Sequence, residues 1–369
     1  MSAAAQPILE PTSFDRITGW RAADHRAALA TFQRSCAEIE TSGSAFRRKV
    51  AYGGTRRDWL AICAKLKSSA DPRRFFETEF TPLIVRDPAR PEGLFTGYYE
   101  PEAEGSLKPG GEYKVPVYAK PGDLVAFDAK TAKRIGLGYG RVADGTPQGY
   151  FTRREIEQGA LDGQGLELVW LKDWADAFFI QVQGSGRVRL PDGKTMRLGF
   201  AAKTGQPYTA IGGILVERGI IARADMSMQA IRAWMRQNPK DARALMWENQ
   251  SFVFFREVTG TDPKLGPPGA QKVALTPLHS LAIDRSLWIF GTPVWLDTEA
   301  PRGEAGTLEP FRSLMVAQDT GTAIKGHARG DVFCGAGEEA ALTAGHMKSA
   351  GLMIVLLPKA LAQRLLKQQ

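Results

Sequence analysis

Short apolar segments, separated by glycine and proline, dominate the chain after residue 250 and limit the folds that it can adopt. Each has five to eight residues, and in order they read "SFVFFREV", "SLAID", "TPVWLD", "SLMVAQD" and "LMIVLL". That is the length of a strand and is short for a helix. Several short strands broken by turn residues are typical of a small closed β-barrel. The sequence therefore predicts a barrel in this part of the chain.

The first 85 residues have a different pattern and are predicted to be mostly helical. Residues 24–40 and 57–67 carry apolar side chains at helical spacing, and Asp24 is placed to cap the first of these helices. From "FTGYYEP" at 95–101 onward, glycine, proline and aromatic residues become frequent. Strands are expected from there on.

The middle of the chain is predicted to hold strands and one helix. Alternation indicates a strand at 112–120 and another at Phe178–Val182, in the segment "FFIQVQ". Residues 187–200 alternate on both sides of "PDG", which predicts a hairpin, with Met196, Leu198 and Phe200 on one face. Residues 227–238 have helical spacing, with Ser227 as the cap.

Composition and charge exclude several classes of protein. The 369 residues are 43% hydrophobic, enough for a sizeable core. The net charge of +8 favours polyanionic partners, but no block of five Lys or Arg occurs, so nucleic acid is not expected. "GLGYGR" at 136–141 lacks the rest of a dinucleotide fingerprint. No apolar run approaches the ~18 residues of a membrane span, and "MSAAAQPILEP" has neither the basic nor the apolar region of a signal peptide.

The three cysteines do not form a metal-binding pattern. No C-x-x-C occurs and the four histidines are scattered, so a structural zinc site is not expected. Cys36 and Cys63 each lie on the apolar stripe of a predicted helix, which favours two buried thiols. A disulfide between them is the open alternative.

Three aspartates follow strand-like runs in the barrel region, namely Asp284, Asp319 and Asp331. An aspartate at a strand end commonly caps a turn through its own side chain, which is the structural alternative for each. Clustered carboxylates repel one another, and burial adds to this, so that one pKa rises above its ordinary ~3.9. A carboxyl that stays protonated can act as a general acid, typically worth about 10²- to 10⁴-fold in rate. No serine or cysteine nucleophile motif competes, since "QGSG" lacks G-x-S-x-G.

Several other residues are predicted to contact a ligand. Tyr98 and Tyr99 offer rings on which apolar sugar faces stack, although an ordinary edge strand and turn explains them equally well. Lys325 supplies a cation within "DTGTAIKG". The full set of predicted substrate-binding residues is Thr96, Tyr98, Tyr99, Gln183, Gly184, Ser185, Tyr208 and Lys325.

Taken together, these segments resemble the membrane-bound lytic murein transglycosylase A family. The resemblance runs in order through about residues 90–357, and the first 85 residues match only weakly. The segments are "FTGYYEP", "FFIQVQGSG", "GQPYTAIG", "DMSMQAIRAW", "SFVFF", "SLAIDRSLWIFGTPVWL" and "MVAQDTGTAIKGHARGDVF".

The resemblance implies a mainly β fold with a helical N-terminal segment. Residues 1–105 and 250–369 would form a double-psi β-barrel, and residues 106–249 a smaller inserted β-domain. Glycan strands of peptidoglycan would bind in a groove between them. The family pattern places the catalytic acid at Asp331 and the other signature aspartates at Asp319 and Asp284. Asp331 would protonate the glycosidic oxygen between N-acetylmuramic acid and N-acetylglucosamine and then deprotonate the C6 hydroxyl, leaving a 1,6-anhydro end.

The same resemblance implies a periplasmic monomer that needs no cofactor or metal, and association with the outer membrane is part of the family pattern. No lipidation cysteine lies near residue 1, so anchoring is doubtful, and cell-wall or peripheral membrane proteins are the expected partners besides the glycan. Two alternative functions stay open. One is a hydrolase of the same bond that uses Asp319 or Asp284 to activate water. The other is a glycan-binding protein without catalysis.

Overall fold

The computed structural model describes residues 8–66, 70–87 and 90–368. Helices and strands each account for about a third of the residues. The chain forms two compact units, Met1–Tyr99 with Thr261–Gln369 and, inserted between them in sequence, Glu100–Gly260. None of the helices in the described ranges has the length and apolar character that a membrane span requires.

The strands and helices are numbered here in chain order. The strands are β1 (Ile8–Pro11), β2 (Phe80–Arg86), β3 (Gly93–Glu100), β4 (Glu102–Ser106), β5 (Val115–Tyr118), β6 (Val125–Ala126), β7 (Tyr139–Ala143), β8 (Thr146–Gly149), β9 (Glu167–Leu171), β10 (Ser185–Arg189), β11 (Thr195–Lys203), β12 (Val253–Glu257), β13 (Ser280–Ile283), β14 (Pro293–Arg302), β15 (Thr307–Asp319), β16 (Arg329–Ala336) and β17 (Lys348–Pro358). The helices are α1 (His25–Thr41), α2 (Arg56–Leu66), α3 (Pro72–Glu79), α4 (Ala129–Ile135), α5 (Arg153–Glu155), α6 (Trp174–Gln183), α7 (Ile211–Glu217), α8 (Met228–Gln237), α9 (Pro239–Glu248), α10 (Glu338–His346) and α11 (Lys359–Leu366).

A closed six-stranded barrel forms the centre of the first unit, as the short apolar segments predict. Its strands follow the order β3-β16-β13-β15-β14-β17, and β17 pairs again with β3 to close the cycle. β2 and then β1 extend the sheet from β17. Strands that are covered on both sides read as continuous apolar runs. β13 is such a strand, because it lies between β15 and β16 in the barrel and all four of its residues are buried.

The predicted N-terminal helices are present and pack on the barrel. The Asp24 side chain accepts a hydrogen bond from the backbone N–H of Ala27 and so caps α1. Phe32 of α1 lies in an aromatic cluster with Phe76 and Phe80, at ring-centroid distances of 6.2 and 5.8 Å. Edge-to-face contacts of this kind stabilise a core beyond simple burial.

The expectation of two buried free thiols is wrong, because Cys36 and Cys63 form a disulfide. Both cysteines lie on the buried faces of their helices, α1 and α2. The helices pack so closely that the two Cα atoms are 5.4 Å apart, within the range that a disulfide needs. Helical spacing identified the buried positions but not this approach.

The second unit contains a six-stranded sheet and a small three-stranded sheet. The larger has the order β12-β11-β10-β4-β9-β5, and a bridge between Ala119 and Phe255 links its two edges. The predicted hairpin is confirmed, since β10 and β11 are antiparallel and join Arg189 to Thr195. The helix capped by Ser227 is confirmed as α8.

The predicted strand at Phe178–Val182 is wrong, because these residues belong to helix α6. Ala177–Gln181 are all buried, so the helix has no polar stripe on this stretch to mark a 3.6-residue period. Its end signals are clear instead. Asp173 caps the N-terminus by accepting from the N–H of Ala175, and Gly184 ends the helix at φ +78°.

Candidate active site

Asp319 and Asp331 lie on the two strands that flank β13 in the barrel. Asp319 ends β15, Asp331 is the third residue of β16, and both have Ala282 as their register partner. Neighbouring strands are ~4.8 Å apart, and residues in register point to the same face of a sheet. The barrel therefore brings together two of the three predicted aspartates.

Asp331 is partly exposed and is held by two residues of the first unit. The hydroxyl of Thr96 donates to its Oδ1 at 2.5 Å, and Nη2 of Arg329 donates to that hydroxyl at 2.7 Å. Burial raises the pKa of Asp331, and the negative charge of Asp319 adds to the rise. The charge of Arg329 and the hydrogen bond from Thr96 oppose it but do not cancel it. The net shift of the Asp331 pKa is therefore upward, which favours the protonated carboxyl.

Asp319 has a more complete set of hydrogen bonds. Oδ2 accepts from the Tyr98 hydroxyl at 2.8 Å, and Oδ1 accepts from the N–H groups of Ala270 and Thr320, both at 2.9 Å. Burial raises the pKa of Asp319 and outweighs these hydrogen bonds, each of which lowers it. The pKa of Tyr98 is also raised, by burial and then by the Asp319 charge. Tyr98 therefore stays a neutral hydrogen-bond donor.

The segment "TGY" explains how one strand reaches both carboxylates. Thr96 and Tyr98 are two residues apart on β3 and so share a face. Gly97 between them packs against α10, where a Cβ would lie 2.8 Å from the Cα of Ala344. A side chain at this position would push β3 away from the helix. Glycine there is thus a packing requirement that fixes the strand bearing both donors.

Asp284 belongs to a separate hydrogen-bond network. It is 5% exposed, its Oδ1 accepts from the backbone and hydroxyl of Ser286 at 3.0 and 2.6 Å, and its Oδ2 accepts from the N–H of Gly326 at 3.2 Å. Burial raises the pKa of Asp284. These hydrogen bonds and the charge of Lys325, whose Nζ is 3.7 Å away, lower the pKa by more than burial raises it, so that the net shift is downward. This arrangement suits a permanently ionised carboxylate that ties two loops together.

The other predicted ligand-binding residues divide between the two units. Tyr99 is only 5% exposed, whereas Lys325 is largely exposed beside Asp284. The remaining four lie in the second unit. Gly184 ends helix α6, Ser185 is buried at the start of β10, Gln183 is partly exposed and Tyr208 is 41% exposed.

Arg329 is a site residue that the sequence analysis missed. It lies two residues before Asp331 on β16, so the two share a face of the strand. That spacing within "ARGDVF" was the available signal. Gly330 between them is tightly packed, since a Cβ would lie 3.0 Å from Leu281 and 3.2 Å from Phe95. This packing holds the Arg329–Asp331 segment in place.

The buried thiol of Cys334 lies near the same carboxyl. Its Sγ contacts the carbonyl oxygen of Val332 at 3.5 Å. Burial raises its pKa far above the ordinary value, and the Asp331 charge adds to this. A thiolate nucleophile requires a lowered pKa, so Cys334 is a packing residue here. Among the described residues, no group of three or more His, Cys, Asp or Glu is arranged to hold a metal ion.

Comparisons with known proteins identify both parts of this architecture. Residues 94–256 match the family model of the MltA specific insert domain, and residues 279–357 match that of the 3D domain. A membrane-bound lytic murein transglycosylase A of Vibrio cholerae is 36% identical over 262 residues, which is 70% of this chain and 63% of that relative. The aligned region thus spans less than two thirds of the curated relative.

Solved structures cover the chain more completely. A membrane-bound lytic murein transglycosylase from Agrobacterium tumefaciens superposes with a TM-score of 0.87 and 33% identity, over 96% of this chain and 99% of that one. Escherichia coli MltA with bound chitohexaose has a TM-score of 0.67 and 26% identity, over 97% and 93%. The fold class expected from the sequence, a barrel domain carrying an inserted strand-rich domain, is confirmed. The chain belongs to the membrane-bound lytic murein transglycosylase A family.

Proposed function

We propose that the protein is a lytic transglycosylase that cleaves the β-1,4 bond between N-acetylmuramic acid and N-acetylglucosamine in peptidoglycan. The observation that carries this proposal is Asp331, a partly exposed residue whose carboxyl pKa is raised by burial and by Asp319. The names of the relatives and the chitohexaose bound to Escherichia coli MltA support the choice of a glycan substrate.

Asp331 acts first as the acid and then as the base. Its proton goes to the glycosidic oxygen as the bond from that oxygen to C1 of the muramic acid breaks. The carboxylate left behind accepts the proton of the C6 hydroxyl on the same sugar while the C6 oxygen bonds to C1. Asp331 is then protonated again and no water is consumed. Because the nucleophile is tethered to the reacting sugar, its effective concentration is very high.

One carboxyl suffices for this sequence of steps, and the surroundings of the other two aspartates fit supporting roles. Both oxygens of Asp284 accept hydrogen bonds from Ser286 or Gly326, so that it is poorly placed to activate a water. Asp319 accepts from Tyr98, Ala270 and Thr320, and its charge raises the pKa of Asp331. We assign Asp319 to tuning the acid and Asp284 to positioning the loops around it.

Digestion of purified murein in ¹⁸O-labelled water distinguishes this function from hydrolysis. We expect products that are one water lighter than reducing-end fragments and free of the label. Incorporation of ¹⁸O at the new sugar end would instead identify a hydrolase. If the native chain binds murein but yields no products, the protein is a glycan-binding protein without catalysis.

We further propose that the protein acts as a monomer in the periplasm, associated with the outer membrane or with cell-wall proteins. The Cys36–Cys63 disulfide supports this location, because disulfides persist in oxidising compartments such as the periplasm. Gln183, Gly184, Ser185 and Tyr208 of the second unit remain proposed glycan contacts, together with Lys325. Fractionation of cells that express the natural gene, with an antibody against this chain, tests the location directly.

A further inference from the structure

A cleft on the unit Glu100–Gly260 has the features of a carbohydrate-binding site and is not part of the aspartate cluster. We propose that Tyr139, Phe200 and Lys120 bind a segment of the peptidoglycan strand there, with the rings contacting a sugar face and the lysine pairing with a carboxylate of the murein. This inference rests on the proposed function, since it takes murein to be the substrate. It adds a second place at which the strand is held.

The cleft is a defined feature with a volume of about 380 Å³. Sites for small ligands commonly enclose about 300–1,000 Å³ and combine apolar walls with a few polar groups. This cleft fits that description. The residues that line it are Lys120, Gly122, Leu124, Val125, Ala126, Tyr139, Phe200, Ala201 and Ala202.

Strand β12 lies between the segment that carries Lys120 and the strand that carries Phe200. Phe255 of β12 pairs with Phe200 of β11 on one side and forms a bridge with Ala119, next to Lys120, on the other. Lys120 and Phe200 therefore lie across one strand from each other. Of the described residues that line the cleft, Lys120 carries a charge and the others are uncharged.

Phe200 is exposed where the pattern of its strand predicts burial. Met196 and Leu198 on β11 are 7% and 0% exposed, and Phe255, the register partner of Phe200, is 1% exposed, yet Phe200 itself is 48% exposed. A β-bulge follows Phe200 and interrupts the ladder before Ala202. Bulges are frequent beside functional sites, where they redirect a side chain. The exposed part of the Phe200 side chain is accessible to a ligand.

Another part of the lining comes from β6 and from the hairpin of β7 and β8, which carries Tyr139. Ala126 and Val125 of β6 pair with Tyr139 and Gly140 of β7, and Tyr139 and Val125 are both 38% exposed. Gly205 packs against Tyr139 with φ +81°, and a Cβ there would lie 3.0 Å from the Tyr139 Cβ. The hairpin is thus fixed against the loop that follows β11.

The chemistry of these three residues matches one ligand class better than others. Pyranose rings have an apolar C–H face that packs on aromatic rings, and two exposed rings in one cleft suit a chain of sugars. A neutral chitin-like strand carries no charge that could pair with a cation, whereas muramic acid and its stem peptide carry carboxylates. Lys120 supplies the complementary charge, in line with the net charge of +8.

Binding measurements on full-length variants test this site. Each variant is made in an Asp331→Asn background so that the ligand is not cleaved, and is titrated with chitohexaose and with a murein glycan of equal length that retains its carboxylates. We expect Phe200→Ala and Tyr139→Ala each to lower the affinity for both ligands by about tenfold. Lys120→Gln is expected to weaken only the murein glycan, with an effect that disappears at high salt.

The controls use exposed residues of the same unit outside the cleft. Leu107→Ala, at a residue that is 61% exposed, and Lys130→Gln, on α4, are expected to bind like the background protein. Phe200→Tyr, which keeps the ring, is expected to restore affinity. If Phe200→Ala and Tyr139→Ala bind both glycans as tightly as the controls, the inference is overturned while the proposed function stands. If the background protein binds neither glycan, both this inference and the proposed function fail.

Discussion

Asp319 and Asp331 share Ala282 as their register partner, one on each side of strand β13. This pairing is what couples the two carboxyls, because it sets them on one face of the barrel within electrostatic reach. Burial raises the pKa of both, and the charge of Asp319 raises that of Asp331 further.

Replacement of Asp331 by asparagine is expected to abolish cleavage while murein binding persists. The amide keeps the shape of the carboxyl but has no proton to donate, and general acid–base catalysis is typically worth about 10²- to 10⁴-fold. Release of soluble fragments from labelled murein measures the loss, and a co-sedimentation assay measures binding. Cleavage by the variant at the native rate would remove Asp331 from its proposed role.

The same substitution is expected to raise the melting temperature at neutral pH. Because the folded-state pKa of Asp331 is raised, its contribution to stability is full below the unfolded pKa and is lost as pH rises through the folded pKa. Asparagine does not ionise and avoids that loss. Melting curves of both proteins should therefore differ at pH 7 and converge in acid. A variant that is less stable than the native chain at pH 7 would contradict the raised pKa.

Asp319→Asn is expected to shift the alkaline limb of kcat/KM to lower pH. The substitution removes a negative charge that raises the pKa of Asp331, so that Asp331 loses its proton at a lower pH. A pH–rate profile measures the shift. Arg21→Gln, at an exposed residue paired with Asp15, serves as the control. An unchanged profile for Asp319→Asn would show that the two aspartates are not coupled.

Thr96→Val is expected to shift the alkaline limb of kcat/KM to higher pH. The Thr96 hydroxyl donates to Asp331 and lowers its pKa, so its removal lets that pKa rise. We expect kcat to fall by about tenfold, since hydrogen bonds to charged groups are worth about 1.5–3 kcal/mol. Thr96→Ser keeps the hydroxyl and should retain the native profile. A downward shift for the valine variant would contradict the assigned hydrogen bond.

Asp284→Asn is expected to act on stability. Its hydrogen bonds to Ser286 and Gly326 lower its folded-state pKa overall, so its contribution is present above the unfolded pKa and is lost as pH falls through the folded pKa. We expect a loss of about 1–3 kcal/mol in the free energy of unfolding at pH 7, measured with urea. The loss should disappear in strong acid. Asp15→Asn, in an exposed ion pair, is the matched control.

Removal of the Cys36–Cys63 disulfide is expected to lower the free energy of unfolding by about 3 kcal/mol, given the 27-residue separation. The double variant Cys36→Ala/Cys63→Ala should match the native chain in reductant. Cys334→Ala should keep the native response to reductant, because Cys334 is a free thiol. If reductant has no effect on the unfolding of the native chain, the two cysteines are not paired.

The sequence was sufficient to predict the barrel strands and to place Asp284 and Asp319 at the ends of two of them. The runs that end at Asp284 and Asp319 have the length and apolar content of buried strands, and the structure has β13 and β15 there. These runs do not reveal the register, that is, which residues of neighbouring strands lie opposite each other. The shared pairing with Ala282 depends on contacts across the barrel, and only these separate Asp319 and Asp331 from Asp284.

The failures of sequence reasoning have a common cause in tertiary packing. Helix α6 is buried on nearly all sides at Ala177–Gln181, so its apolar run also satisfied a strand pattern. Phe200 continues the alternation of Leu198 but is exposed at a bulge. Cys36 and Cys63 gave no sign of pairing because it depends on how two helices approach. The bulge at Phe200 and the pairing of the two cysteines have no local signal, whereas α6 is marked at its ends by Asp173 and Gly184.

Direct titration of the Asp331 carboxyl tests the central claim most closely. The protein is labelled with ¹³C at aspartate side-chain carboxyls, and the Asp331 and Asp284 resonances are assigned by comparison with the two asparagine variants. We predict that Asp331 titrates above the ordinary ~3.9 of an aspartate and that Asp284 titrates below it. An Asp331 carboxyl that titrates at or below the pKa of Asp284 would contradict its role as the acid.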